Sequence, residues 1–92
     1  GTMNITDVRI RMAENTGKLK AVASITFDDV FVVHDIKIID GQNGLFIAMP
    51  SKKIGEGDFR DIAHPLTSET RNEIKDAILG AYEKALRETP EE

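Results

Sequence analysis

FVVHDIKIIDGQNGLFIAMPSKK, residues 31–53, decides the fold. It holds two apolar runs, residues 31–39 and 45–49, separated by Asp40, Gly41, Gln42, Asn43 and Gly44. Asp and Asn bond their own backbone and tolerate left-handed φ, and Gly adopts positive φ freely, so this spacer is turn chemistry. The flanking runs are rich in Val, Ile and Phe and poor in charge, as central strands are. The pair reads as a tight antiparallel reversal in the middle of a sheet. Pro50 ends the second strand because it has no N–H for the ladder.

Working back toward the N-terminus, residues 6–12 alternate. Val8, Ile10 and Met12 face one way, and Asp7, Arg9 and Arg11 the other, the period of a strand with one wet face. Glu14, Asn15, Thr16 and Gly17 make a turn. Residues 18–27 alternate again, with Leu19, Ala21, Ala23, Ile25 and Phe27 apolar and Lys18, Lys20, Ser24 and Thr26 polar. So short a loop permits only an antiparallel hairpin. Asp28 and Asp29 reverse the chain into the central strand. That strand is apolar on both sides except at its middle, which predicts that both faces are at least partly covered. Strict alternation puts His34 on the apolar row with Val32, Ile36 and Ile38, as a buried, hydrogen-bonded histidine. It puts Asp35 on the opposite face, where an ion pair with Lys37 is expected.

Toward the C-terminus, residues 51–58 read as a polar loop with Gly55 and Gly57. Phe59, Arg60, Asp61 and Ile62 suit a short fifth strand, with Phe59 expected in the core, and His64-Pro65 stops it. Thr67 or Ser68 caps a helix, and Glu69 and Glu73 lie near the positive end of its dipole. Ile74, Ala77, Ile78, Ala81, Tyr82 and Ala85 form one apolar stripe at helical spacing. The helix should reach Leu86 or Arg87, about 18 residues and about 27 Å. Gly80 inside it costs about 1 kcal/mol relative to Ala, which suggests a close helix–sheet approach there. The expected fold is therefore α+β: a four- to five-stranded antiparallel sheet with a C-terminal helix packed on one face. One domain is expected over residues 3–87, with an acidic tail at 88–92 and a tag remnant at Gly1-Thr2.

Ninety-two residues bury a modest core, and a helix about 10 Å wide cannot cover a whole sheet face, so a homodimer is expected. The chain has no cysteine, which removes disulfides and thiolate metal sites and fits a reducing cytoplasm. No apolar run approaches the roughly 20 residues of a membrane span, and no signal peptide is visible. The net charge is −4, but Glu88, Glu91 and Glu92 carry much of the excess and leave the body nearly neutral. A basic patch is compatible with that body.

Two clusters of cations stand out. Lys52 and Lys53 follow Pro50, Arg60 lies just beyond, and Arg71 and Lys75 are four apart on one helix face. Glu56, Asp58, Asp61, Glu69 and Glu73 are interspersed, so a site requires folding to gather the cations and turn the acids away. Arg9, Arg11, Lys18 and Lys20 form a secondary basic patch on the wet face of the first hairpin, where like charges repel and an anion would relieve them. No catalytic nucleophile sits in a strained glycine turn, and no metal-ligand spacing or phosphate loop is present. No enzyme activity, cofactor, metal or small-molecule substrate is expected.

Taken together, several segments carry a resemblance: residues 6–9 (TDVR), 23–26 (ASIT), 31–41 (FVVHDIKIIDG), 43–52 (NGLFIAMPSK), 59–65 (FRDIAHP) and 70–71 (TR). In this order and spacing the chain resembles the bacterial stage V sporulation protein G family (SpoVG, septation protein) from Met3 to about Tyr82. The resemblance implies a small cytoplasmic, dimeric, non-enzymatic regulator affecting asymmetric septation, sporulation and gene expression, which binds DNA and in some members RNA. It places nucleic-acid contact on Lys52, Lys53, Arg60 and Arg71. Lys75 extends that set by helix geometry alone. The alternative is a protein-interaction module of cell division without direct nucleic-acid binding, using an exposed sheet edge or the helix.

Overall fold

The computed structural model describes residues 4–88. The expected tag remnant at residues 1–2 and the expected acidic tail beyond Glu88 lie outside them. Four strands, β1 (Ile5–Thr16), β2 (Leu19–Phe27), β3 (Phe31–Gly41) and β4 (Gly44–Ala48), form one antiparallel sheet in the order β1-β2-β3-β4. β5 (Ser51–Lys53) and β6 (Phe59–Asp61) form a separate two-stranded ribbon, and α1 (Ser68–Glu88) closes the chain. The α+β class and the single C-terminal helix are as the periodicities require. Two details differ. Phe59–Asp61 does not join the main sheet, because Ser51–Lys53, expected to be loop, pairs with it instead. Glu88, assigned to the tail, is the last helical residue.

Turn chemistry sets the hairpins. The first turn narrows to Gly17 and Lys18, with Gly17 at φ 76°. Asp28 and Asp29 stand at φ 52° and 57°, and the Val30 N–H donates to the Phe27 carbonyl at 3.0 Å. Two consecutive left-handed residues are the geometry whose twist matches a hairpin. Gly41 pairs with Gly44 across Gln42 and Asn43, and Gly44 sits at φ 113°.

The central strand departs from simple alternation. Ile36 pairs with Ala23 and Val33 with Ile25, so Ser24 alone faces both His34 and Asp35. This is a β-bulge, and Asp35 takes φ 66° within it. The extra residue shifts the phase of the strand. Val33 lies against the core before the bulge, and Ile36 and Ile38 are fully buried after it. His34 is therefore exposed rather than buried, contrary to strict alternation, and shares the outward side with Asp35.

The core lies between the inner sheet face and α1. Ala21, Ala23, Ile25 and Phe27 from β2 meet Ile36, Ile38 and Met49, and Ile74, Ile78 and Tyr82 cover them from the helix. Alanines at the centre of β2 leave room for the helix to approach. Each fully buried isoleucine contributes about 1.5–3 kcal/mol from area removed from water. Thr67 caps the helix: its Oγ1 accepts the Thr70 N–H at 3.1 Å. The helix packs on β1, β2 and β4. Among the described residues the opposite sheet face has no such cover, against expectation, and Val32 and Phe46 are exposed there. No helix among the described residues is long and apolar enough to cross a membrane.

Gly80 is exposed, and a Cβ there would meet nothing within 4 Å, so it does not serve a close helix–sheet contact. Gly80→Ala should raise stability by about 0.8–1 kcal/mol in urea unfolding. A loss of stability would mean that the helix is crowded at this point. Asp35→Val tests the bulge. Valine is the better strand former, yet at positive φ it should cost about 1–2 kcal/mol. A more stable variant would contradict the left-handed backbone at Asp35.

Candidate nucleic-acid interface

The ribbon gathers the first cluster of cations. Antiparallel register sets Lys52 directly against Arg60, Lys53 against Phe59, and Ser51 against Asp61. Alternation then puts Lys52 and Arg60 side by side on one ribbon face and Asp61 on the other. The Ile62 N–H donates to the Pro50 carbonyl at 2.8 Å and closes the base. At the tip, the Ile54 N–H donates to the Asp58 carbonyl at 3.0 Å, with Gly57 at φ 89° in the bend. Every residue from 51 to 62 is exposed, so the ribbon stands off the body.

Phe59, expected in the core, is 67% exposed on this ribbon. Its strand never reaches the main sheet, so there is no core for it to enter. Among the described residues no carboxylate lies within ion-pairing distance of Lys52, Lys53 or Arg60, and the one ion pair is Arg9 to Asp7 at 2.9 Å. Like charges directly opposite across a strand pair disfavour the ribbon unless an anion lies over them.

Arg71 and Lys75 are exposed on the first turns of α1. They share a helix face, as their spacing requires. No hydrogen bond or ion pair ties either of them to the ribbon among the described residues. The five expected contact residues are thus carried on two separate supports.

The secondary patch is arranged differently from its sequence outline. Arg9 and Arg11 do occupy outward positions on β1, opposite Ser24 and Val22. Lys18 lies in the turn, and Lys20 lies in a second bulge, where Leu19 pairs with Ile39 and Ala21 with Ile38. Arg9 is neutralised within its own strand. The hydrogen bond to Asp7, and then the charge of Asp7, raise the Arg9 pKa. Lys37 pairs by register with Val22 and Ala48 and makes no ion pair with Asp35 among the described residues.

Both histidines border hollows. His34 and Asp35 border a surface hollow of about 190 Å³ with Arg9, Arg11 and Ser24. Both residues are exposed, so this is not the deep site that hydrolytic chemistry needs. His64 lines an apolar cavity of about 220 Å³ with Phe27, Phe31, Val33 and Met49, and its Nδ1 lies 3.0 Å from the Pro65 carbonyl oxygen. Among the described residues no three His, Cys, Asp or Glu side chains group as metal ligands.

The fold and ribbon define a class: a small α+β domain that holds a two-stranded ribbon, with Lys52 set against Arg60, away from its core. Comparison with known proteins assigns it to a family. The SpoVG family model matches residues 3–84. The chain is 70% identical over 82 residues to the SpoVG septation protein of Alkaliphilus oremlandii, covering 89% of this chain and 88% of the relative. It is 66% identical over 83 residues to that of a Thermoanaerobacter species, covering 90% of each. The relative from Clostridioides difficile is 63% identical over 84 residues, covering 91% of each. This chain belongs to the SpoVG family.

Arg60→Glu separates the ribbon's stability from its charge. It replaces a like-charge cross-strand pair with an opposite one, so amide exchange in residues 51–61 should slow by about two- to fivefold. Faster exchange would mean that Lys52 and Arg60 are not neighbours.

Proposed function

We propose that this protein is a non-enzymatic regulator that binds DNA, and RNA, through phosphate contacts from the β5–β6 ribbon and the first turns of α1. Its cellular role, in this proposal, is in septation, sporulation and gene expression in the cytoplasm. The observation that carries the proposal is the exposed Lys52–Arg60 pair, set side by side with no described carboxylate in reach. A phosphate between them removes their repulsion; Lys53, on the ribbon's other face opposite Phe59, and Arg71 and Lys75 on the helix add further cations. A two-stranded ribbon also has a width that the major groove of B-DNA admits. The SpoVG relatives are named for septation, and that name supports the cellular role. Homodimer formation belongs to the same proposal, through a free strand edge of the open sheet.

A second reading has its own support. Phe59, Ile62 and Leu66 are 67%, 67% and 90% exposed, which suits a protein-interaction module at the ribbon. Binding measured by fluorescence anisotropy over a salt series distinguishes the two. On the nucleic-acid reading, log K falls linearly with log salt. Changing Lys52, Lys53, Arg60 and Arg71 together to Ala should weaken binding at least tenfold and flatten the slope by about 3. The melting temperature should stay unchanged, and light scattering should report a dimer. An unchanged slope would move the interface elsewhere. Wild-type protein that binds neither DNA nor RNA at low salt would leave the protein-interaction reading in its place.

A further inference from the structure

The outer sheet face carries a second surface that the ribbon does not explain. Phe46 stands on β4 opposite Ile39, an outward position of the sheet. Its ring lies over Gly41: a Cβ added at Gly41 would meet Phe46 Cε1 at 2.8 Å and Cδ1 at 3.2 Å. Any larger residue at 41 would push the ring away, so the glycine serves as the floor that holds it. Phe46 is nonetheless 45% exposed. An aromatic ring fixed by backbone on one side and open on the other is a stacking surface rather than a core residue.

The cations around it are sorted. Arg11, Val22, Lys37 and Ala48 make one outward row across all four strands, and Leu19, Ile39 and Phe46 make the next, with Lys20 in the bulge beside Leu19. Arg11 and Lys37 stand two strands apart, about 10 Å, with Val22 between them. Of the nearby acids, Asp40 pairs with Leu45, which packs on the core, so its position belongs to the helix side. Asp35 lies in the β3 bulge beyond these rows, bordering the hollow that also holds Arg11, and Asp7 is already bound to Arg9. The half of the face around Phe46 therefore joins Arg11 and Lys37 to one fixed aromatic, with no described carboxylate on these two rows.

We propose that this half of the outer sheet face binds single-stranded nucleic acid, with an unpaired base stacked on Phe46 and phosphates at Arg11 and Lys37. Charge complementarity selects a polyanion, and the exposed ring selects one whose bases are free to stack. A duplex does not fit: four strands span about 14 Å before side chains, wider than the roughly 12 Å major groove, and duplex bases present no open ring face. The inference rests on the nucleic-acid reading and gives it a second surface with its own strand preference.

The chain has no tryptophan, so Phe46→Trp places a single reporter at the site. Single-stranded oligonucleotide should quench its emission, and the matched duplex should not. Phe46→Leu, which still covers Gly41, should weaken single-strand binding about 5- to 100-fold, whereas Phe46→Tyr should bind within about twofold of wild type. Arg11→Ala with Lys37→Ala should flatten the single-strand salt slope by about 1.4. Unquenched tryptophan under saturating single strand, or Phe46→Leu binding as wild type does, would overturn the inference. If ribbon variants lose binding in the same experiment, the nucleic-acid reading stands without it. If wild-type protein binds no nucleic acid at all, both fall together.

Discussion

One extra residue in β3 holds the arrangement together. The bulge at His34 and Asp35 shifts the inward phase from odd to even positions, so Val33 and Ile36 reach the same core although they are three apart. Without it, the two halves of the strand would bury opposite sets of side chains, and one half would expose its isoleucines. The energetic demand is clear. Ile36 and Ile38 are fully buried, and burial of such residues is the dominant favourable term in folding. The strained backbone at Asp35 is the smaller cost that permits it.

The same shift decides what the outer face looks like. It turns His34 outward beside Arg9 and Arg11 and leaves Lys37 in line with Val22 and Arg11. With α1 committed to the inner face, the outer face keeps its charges and Phe46 in contact with water. The ribbon follows from a different constraint. Pro50 ends β4, and the chain then pairs with itself in a hairpin too short to bury anything. Its side chains are free to serve recognition because the core does not need them.

The two surfaces have different physical character. The ribbon offers a pair of cations at cross-strand distance on a narrow support. The sheet offers spaced cations around a ring seated on Gly41.

Much of this was determined by sequence alone. Alternation in residues 6–12 and 18–27 assigned the faces of β1 and β2, the turn residues at 28–29 and 40–44 set the hairpins, and 3.6-residue spacing fixed the stripe of Ile74, Ile78 and Tyr82. These are local signals, written in consecutive side chains by a fixed period. The grouping of Lys52, Lys53 and Arg60 was also legible, since they lie close to a proline break. Tertiary structure decided the rest. A bulge leaves no periodic mark, so the exposure of His34 depended on which partner residues lay opposite. Phe59 reads as core by composition and is outside because its strand pairs only with β5. Whether Lys52 faces Arg60, and whether Phe46 rests on Gly41, are questions of register between strands, and register is settled by the whole sheet rather than by any one segment.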